Sequence, residues 1–146
     1  MIKVKLIKRN TPEFEDLLKE VAQLRWAKFP RDSGRRTAAD SLRDKFDTDI
    51  LLIREPLIDI PVGILSFREE DNGRFVKVVN MGVSKKNRGI GQALIEKVRK
   101  IAGKKRSVWL RSLDEDSDSF YEKIGGRPAG EHGFDGGKKS FQFSGT

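Results

Sequence analysis

The chain of 146 residues has no cysteine and a single histidine, His132. Without cysteine there is no disulfide framework, no cysteine-based zinc site and no thiol nucleophile, and one histidine excludes a histidine-rich metal site. No stretch approaches the roughly 20 apolar residues that cross a bilayer. The first residues alternate instead of forming the apolar block of a signal peptide. We therefore expect a soluble cytoplasmic protein with neither metal nor membrane contact.

What the chain has in abundance is charge. Charged residues make up 36% of it, hydrophobic residues another 36%, and the net charge is +8. This length suits a single domain over residues 1–146. A positive field attracts either nucleic acid or a small polyphosphate ligand, and the alternative is a surface that serves solubility and has no specific partner. Lysine and arginine are spread along the chain, with no basic stripe interleaved with aromatic residues, so we do not expect nucleic acid as a partner.

The first part of the chain reads as one strand followed by two helices. Residues 2–7 alternate apolar side chains with lysine, which is typical of a half-buried strand. Thr11-Pro12 then predicts a helix start, and Phe29-Pro30 its end. The apolar stripe of this helix is Phe14, Leu17, Leu18, Val21 and Leu24. A shorter helix with Ala38, Ala39, Leu42 and Phe46 on one side is expected next.

The remainder alternates strands and helices. Residues 50–53 and 61–67 are apolar runs, and Asp71-Asn72-Gly73 predicts a hairpin that leads into a strand over 75–83. Helical spacing then runs from Ile90 to Ala102 and stops at Gly103. A short strand at 108–110, a helix at 117–124 and a last strand at 140–143 complete the order. This order predicts an α/β protein with a mixed sheet and helices on its faces.

The strongest chemical signal is the turn between the strand over 75–83 and the following helix. Its sequence is Ser84-Lys85-Lys86-Asn87-Arg88-Gly89-Ile90-Gly91. The first amides of a helix lack intrahelical acceptors, and the helix dipole places positive charge there. Glycines let the backbone approach an anion closely. The turn therefore predicts a phosphate site, the alternative being glycines that serve only a tight backbone; P-loop and dinucleotide motifs are absent.

At this turn the sequence resembles the GCN5-related N-acetyltransferases (GNAT), whose signature Q/R-x-x-G-x-G/A opens the main helix. Arg88-Gly89-Ile90-Gly91-Gln92-Ala93 satisfies it, and Met81-Gly82-Val83 lies where the family's preceding strand ends. A second register, Lys86-Asn87-Arg88-Gly89-Ile90-Gly91, needs lysine in the first place, and both registers stay open. The resemblance implies a central mixed, mostly antiparallel, twisted sheet of six to seven strands with about four helices. It also implies that Arg88 to Ala93 hold the pyrophosphate of acetyl-CoA.

The resemblance continues in Phe120-Tyr121-Glu122-Lys123-Ile124-Gly125, which is similar to the family's L/F-Y-E-K-x-G segment. It implies that Tyr121 protonates the departing CoA thiolate, and a hydroxyl of pKa about 10 near a thiol of about 8.5 suits that task. The alternative is a core tyrosine. Two positions depart from the family: Asp114 replaces a frequent asparagine of the CoA site, and Gly126 replaces a phenylalanine.

The resemblance further implies direct attack of a primary amine on acetyl-CoA in a ternary complex. Backbone N–H groups of Met81, Gly82 and Val83 would bind the pantetheine and polarise the carbonyl. Acidic residues at 69–71 and 114–116 are candidate bases without a distinguishing signal. Arg31, Arg35 and Arg36 lie where the family often builds its acceptor pocket; they either bind a carboxylate or phosphate of the acceptor or are surface residues only. The amine acceptor is a small molecule or a protein, and the chain a monomer or homodimer. The alternative function is an inactive GNAT module that binds acyl-CoA or RNA.

Overall fold

The computed structural model describes residues 2–24, 26, 42–43, 48–84, 89–112, 115–129, 134–135 and 138–146. Within these ranges, three helices have described bounds, α1 (Pro12–Val21), α2 (Ile90–Ala102) and α3 (Glu115–Lys123), and Leu42 and Arg43 are helical as well. The eight strands there are β1 (Lys5–Ile7), β2 (Asp49–Arg54), β3 (Pro61–Glu70), β4 (Phe75–Val83), β5 (Ser107–Arg111), β6 (Arg127–Pro128), β7 (Phe134–Asp135) and β8 (Lys138–Ser144). None of these helices combines the length and the apolar character that a bilayer crossing requires.

The strands form a mixed sheet. Seven of them follow the order β1-β2-β3-β4-β5-β8-β6, and β7 pairs with β8 off this path. The β4/β5 pair is parallel. The β1/β2, β2/β3, β5/β8, β6/β8 and β7/β8 pairs are antiparallel. The predicted α/β class, with a mixed and mostly antiparallel sheet, is therefore confirmed.

The hairpin between β3 and β4 forms at the predicted turn. Asp71, Asn72 and Gly73 all adopt positive φ angles of 53°, 56° and 82°, a region in which asparagine, aspartate and glycine are the least strained residues. The N–H of Arg74 donates to the carbonyl of Glu70 over 3.1 Å, which closes the turn.

The chain divides into two compact units. The first comprises Met1–Arg68 and Val79–Lys97, and the second Glu69–Val78 and Val98–Thr146. In the first unit the apolar stripe of α1 packs on one face of β1, β2 and β3. The buried residues of this core are Ile7, Phe14, Leu17, Leu18, Val21, Leu42, Ile50, Leu52 and Ile64.

An ion pair joins α1 to β2 within the first unit. The guanidinium of Arg54 donates to both carboxylate oxygens of Glu20, over 2.8 and 2.7 Å. This bidentate bond to Arg54 lowers the pKa of Glu20 below its ordinary value of 4.5, against the opposing effect of burial. The same guanidinium donates to the carbonyl of Asp59, so it also fixes the turn between β2 and β3.

In the second unit, α3 packs on β8 through Tyr121, and β8 pairs with β5. The core residues of these strands are Val108, Leu110, Phe141 and Phe143, each at most 3% exposed. The end of β8 is bonded to the end of α2, because Arg99 Nε donates to the carbonyl of Ser144 over 2.7 Å.

Several predicted element boundaries are wrong. The alternation over residues 2–7 forms a paired strand only from Lys5 onward. The predicted first helix begins as expected, with Thr11 Oγ1 accepting from the Phe14 N–H, but it ends at Val21. Its stripe residue Leu24 lies past that end in a tighter turn, where its N–H donates to the carbonyl of Val21.

Other predicted elements change in different ways. The helix expected at 117–124 occupies Glu115–Lys123, and the last strand extends to Lys138–Ser144. Of the helix expected around residues 38–46 only Leu42 and Arg43 are described, both helical; Ala38, Ala39 and Phe46, like the stop at Phe29-Pro30, lie outside the described residues. The two-residue strands β6 and β7 were not predicted, because two residues show no periodicity.

Candidate functional site

The glycine turn leads directly into α2. Gly89 is exposed and has a φ of +74°, a conformation that L side chains rarely adopt. Ile90 is the first helical residue, and the helix ladder starts where the N–H of Ala93 donates to the carbonyl of Gly89 over 3.0 Å. The amides of this first turn have no acceptor within the helix. A positive-φ glycine thus stands immediately before a helix N-terminus.

The charges along α2 leave its N-terminus suited to an anion. Its first turn contains no acidic residue, whereas its last turn contains Arg99 and Lys100. Basic residues near the C-terminus complement the negative end of the helix dipole. No carboxylate in the first turn compensates the positive end of the dipole, so a phosphate would interact favourably with that end.

Gly63 on β3 determines how closely the first turn of α2 approaches the sheet. A Cβ at Gly63 would lie 2.5 Å from Ile90 Cγ2 and 3.3 Å from Leu94 Cδ1. Only a residue without a side chain therefore lets the first turn of α2 reach its place on β3. Sequence reasoning missed this residue, although an isolated glycine inside a strand pattern is a recognised signal of close backbone approach.

Met81, Gly82 and Val83 form the last part of β4, and all three are half-buried. Just after them, the Ser84 N–H donates to the carbonyl of Val62 over 2.8 Å, so the strand remains bonded to β3 up to its end. On its other side β4 pairs with β5 at Val76 and Lys77. Along the described part of both strands, that parallel pairing goes no further.

Tyr121 lies in the second unit, on the inner side of α3. It is 6% exposed, and its ring centroid lies 5.7 Å from that of Phe141 and 6.3 Å from that of Phe143. The neighbouring Phe120 ring is 5.3 Å away. Tyr121 therefore belongs to an aromatic cluster, which fixes the direction of its ring.

The structure explains the glycine at position 126. Its N–H donates to the carbonyl of Tyr121 over 2.8 Å. A Cβ there would lie 2.8 Å from both that carbonyl oxygen and Phe143 Cζ. A phenylalanine at this position, as the family often has, would collide with the aromatic cluster.

The predicted site residues fall into three groups. The first unit contains the residues at the start of α2 and at the end of β4, namely Gly89, Ile90, Gly91, Gln92, Ala93, Met81, Gly82 and Val83. The second unit contains Tyr121. Arg88 and Asp114 lie outside the described residues, as do Lys85, Lys86, His132, Arg31, Arg35 and Arg36. Within the described ranges, no three histidine, aspartate or glutamate side chains are grouped closely enough to hold a metal ion.

The described acidic candidates for a base have structural partners or exposed positions. Glu69 forms an ion pair with Arg106 over 2.7 Å, and Asp71 pairs with Arg74 over 3.5 Å. Glu115 and Asp116 are exposed in the first turn of α3, where acidic residues stabilise the helix dipole. Glu70, the fifth described candidate, is half-buried at the end of β3. The ion pairs and the helix dipole explain the positions of the other four carboxylates without a catalytic role.

With this geometry established, the chain can be compared with known proteins. The family model described as the Acetyltransferase (GNAT) family matches residues 18–126. The chain belongs to the GNAT family. The matched range contains β4, the glycine turn, α2 and Tyr121, so the resemblance that the signature carries is confirmed at the level of the family. No curated protein matches the chain in sequence.

Solved structures of GNAT enzymes share the fold. An aminoglycoside 6'-acetyltransferase type Ii has 19% identity and a TM-score of 0.71, with 99% of this chain and 97% of that chain covered. An aminoglycoside 6'-N-acetyltransferase complexed with coenzyme A has 16% identity and a TM-score of 0.71, covering 99% and 97%. Tetrahymena GCN5 has 15% identity and a TM-score of 0.71, covering 99% and 96%. At such identities the likeness shows the GNAT fold alone.

Proposed function

We propose that this GNAT protein is an N-acetyltransferase that transfers the acetyl group of acetyl-CoA to a primary amine. The observation that carries the proposal is the start of α2, where the positive-φ Gly89 precedes a first turn without acidic residues. Such a helix N-terminus favours a phosphate group. Support for acetyl-CoA as the ligand comes from the family match and from the coenzyme A in one structural neighbour.

The pyrophosphate is held by the turn from Arg88 to Ala93. The fourth place of the signature is always glycine. The positive φ of Gly89 is a conformation that favours glycine, so it favours the register in which Gly89 is the fourth residue. This register gives the sixth place to Gly91 and the first to Lys86. In both registers the binding amides belong to the same first turn of α2.

The thioester is held by the end of β4. Backbone N–H groups of Met81, Gly82 and Val83 donate to the pantetheine amides and polarise the acetyl carbonyl, and Asp114 contributes to the same binding site. The end of β4 suits this role because its pairing with β5 stops early in the strand. Polarisation stabilises the negative charge that develops on the carbonyl oxygen during attack.

The reaction is a direct attack in a ternary complex. The amine nitrogen bonds to the acetyl carbon, the carbon–sulfur bond breaks, and Tyr121 donates a proton to the departing thiolate. The amine gives up its own proton to solvent, and solvent returns a proton to Tyr121 before the next turnover. Holding both substrates together supplies much of the rate by positioning.

The decisive experiment is calorimetric titration of acetyl-CoA into a Gly91→Glu variant, with Gly91→Gln as its neutral control of similar size. The glutamate places a carboxylate beside the pyrophosphate, so we expect binding to be lost in Gly91→Glu and to be weakened less in Gly91→Gln. Release of CoA thiol with a panel of amines then tests transfer. Undiminished binding by Gly91→Glu, or wild-type protein that binds acetyl-CoA yet acetylates no amine, would overturn the proposal.

A further inference from the structure

The sheet of the second unit has one buried face. The register places Val76 beside Val108, and Val108 beside Phe143. The next pair along β5 and β8 is Leu110 with Phe141. These side chains are buried, and both phenylalanine rings contact the ring of Tyr121 on α3. Because side chains alternate along a strand, the residues between them point to the opposite side of the sheet.

We name that opposite side the aromatic face. Its nine strand positions are Phe75, Lys77, Ser107, Trp109, Arg111, Arg127, Ser140, Gln142 and Ser144. One row crosses four strands, because Lys77 pairs with Trp109, Trp109 with Gln142, and Gln142 with Arg127. Three strand spacings make this row about 14 Å long.

Two rings form the centre of the aromatic face. The half-buried Trp109 donates from Nε1 to Ser107 Oγ over 2.8 Å, which fixes the plane of the indole. The ring of Phe75 lies beside it, with centroids 5.7 Å apart and planes inclined by 51°. Phe75 is half-buried as well. Together the two rings offer an oriented surface against which another flat ring stacks.

The charged residues among the nine positions of the aromatic face are basic: three are basic and none is acidic. The strand beside Phe75, β3, ends at the acidic Glu70. Arg111 and Arg127 are exposed, and Lys77 is half-buried. Lys77 and Arg127 stand at the two ends of the row, on either side of Trp109 and Gln142. The aromatic face is therefore complementary to an anion that carries flat rings.

We propose that the aromatic face binds single-stranded nucleic acid. Aromatic side chains that stack unpaired bases, together with cations that follow the phosphate backbone, are the elements of such binding. A row of about 14 Å with cations at both ends is longer than the spacing of about 3.4 Å between phosphates along one strand of a double helix. Bases in a duplex are already stacked on each other and do not reach Trp109. The linear sequence conceals this surface because its residues come from four separate strands.

The test measures the fluorescence anisotropy of a labelled oligouridine as the whole protein is added, without acetyl-CoA and over a series of salt concentrations. The variants are Trp109→Ala, Trp109→Phe and Arg127→Ala. Lys104→Ala is the matched control for charge, because Lys104 is an exposed cation in the turn after α2 and belongs to no strand. Thermal melting verifies that each variant is folded.

We expect Trp109→Ala to weaken binding about five-fold or more, and Trp109→Phe to restore much of it because a phenyl ring also stacks. Arg127→Ala should lower the slope of log K against log salt concentration by the amount expected for about one lost phosphate contact. Lys104→Ala should leave that slope unchanged. If Trp109→Ala does not fold, the affinity of Trp109→Phe and the salt dependence of Arg127→Ala still test the proposal. Equal effects of Arg127→Ala and Lys104→Ala, equal affinity for duplex of the same length, or no binding at low salt would overturn the proposal.

Discussion

At the scale of single residues, Gly63 couples the stability of the sheet to the position of the glycine turn at Gly89. Its missing side chain leaves room for Ile90, the first residue of α2. In Gly63→Ala the new methyl group would lie 2.5 Å from Ile90 Cγ2. We expect the free energy of unfolding to fall by about 1–3 kcal/mol, as overpacking does elsewhere, and acetyl-CoA to bind several-fold more weakly.

A double variant provides the control for Gly63→Ala. Replacing Ile90 with leucine removes the Cγ2 methyl while preserving the volume of the side chain. Gly63→Ala/Ile90→Leu should therefore be less destabilised in urea than the sum of its two single variants predicts. Strict additivity, or a Gly63→Ala protein with wild-type stability and affinity, would show that the close contact has no energetic consequence.

Tyr121 permits a second test at this scale, because its ring and its hydroxyl have separable roles. Tyr121→Phe preserves the contacts with Phe141 and Phe143 but removes the hydroxyl that we propose as the proton donor. We expect kcat to fall at least about 10-fold, since general acids contribute roughly 10²–10⁴, with the Kd for acetyl-CoA almost unchanged. Above about pH 8.5 the thiolate leaves without a proton, so the deficit should shrink there. An unchanged kcat at neutral pH would make Tyr121 a core residue only.

At the scale of elements, the Glu20–Arg54 pair joins α1 to β2 and predicts a pH dependence. The folded-state pKa of Glu20 is lowered, so the unfolded chain binds the proton more readily. The pair therefore contributes stability above pH 4.5, and this contribution is lost as the pH falls through the folded-state pKa.

Denaturant unfolding of Glu20→Gln across a pH series measures this contribution. The pair is about one third exposed, so we expect a loss of only about 0.5–1 kcal/mol at pH 7, declining to zero in acid. Glu15→Gln is the matched control, because Glu15 and Arg43 are 3.5 Å apart and more exposed. An equal loss in the control, or a Glu20→Gln deficit that persists at low pH, would contradict the prediction.

The sequence predicts an element well when neighbouring residues alone determine it. Thr11-Pro12 specifies the start of α1 by capping, and Asp71-Asn72-Gly73 specifies a turn by positive φ angles, so both predictions are confirmed. The end of α1 was not, because Leu24 still packs against the core after the helix has ended. Nor does a linear pattern reveal that Gly63 meets Ile90, or that Lys77, Trp109 and Arg127 share a row. Those relations exist only once the register of the strands is known.

At the scale of the whole molecule, the net charge of +8 acts on every charged ligand. Acetyl-CoA carries three phosphate groups, so a positive field raises its association, and salt screens that field. The screening length falls from about 10 Å at 0.1 M to about 3 Å at 1 M. We therefore expect the Kd for acetyl-CoA to rise several-fold between about 0.05 and about 0.5 M sodium chloride.

The control ligand for this prediction is acetylpantetheine, which has the thioester and the two amides of acetyl-CoA but lacks its phosphates. The contacts proposed for it with the end of β4 are neutral hydrogen bonds, so we expect calorimetry to find a Kd that is almost independent of salt. The difference between the two salt dependences isolates the phosphate interaction from any effect of salt on folding. If salt weakens the binding of both ligands equally, salt perturbs the protein itself, and the electrostatic role proposed for the glycine turn at Gly89 would be wrong.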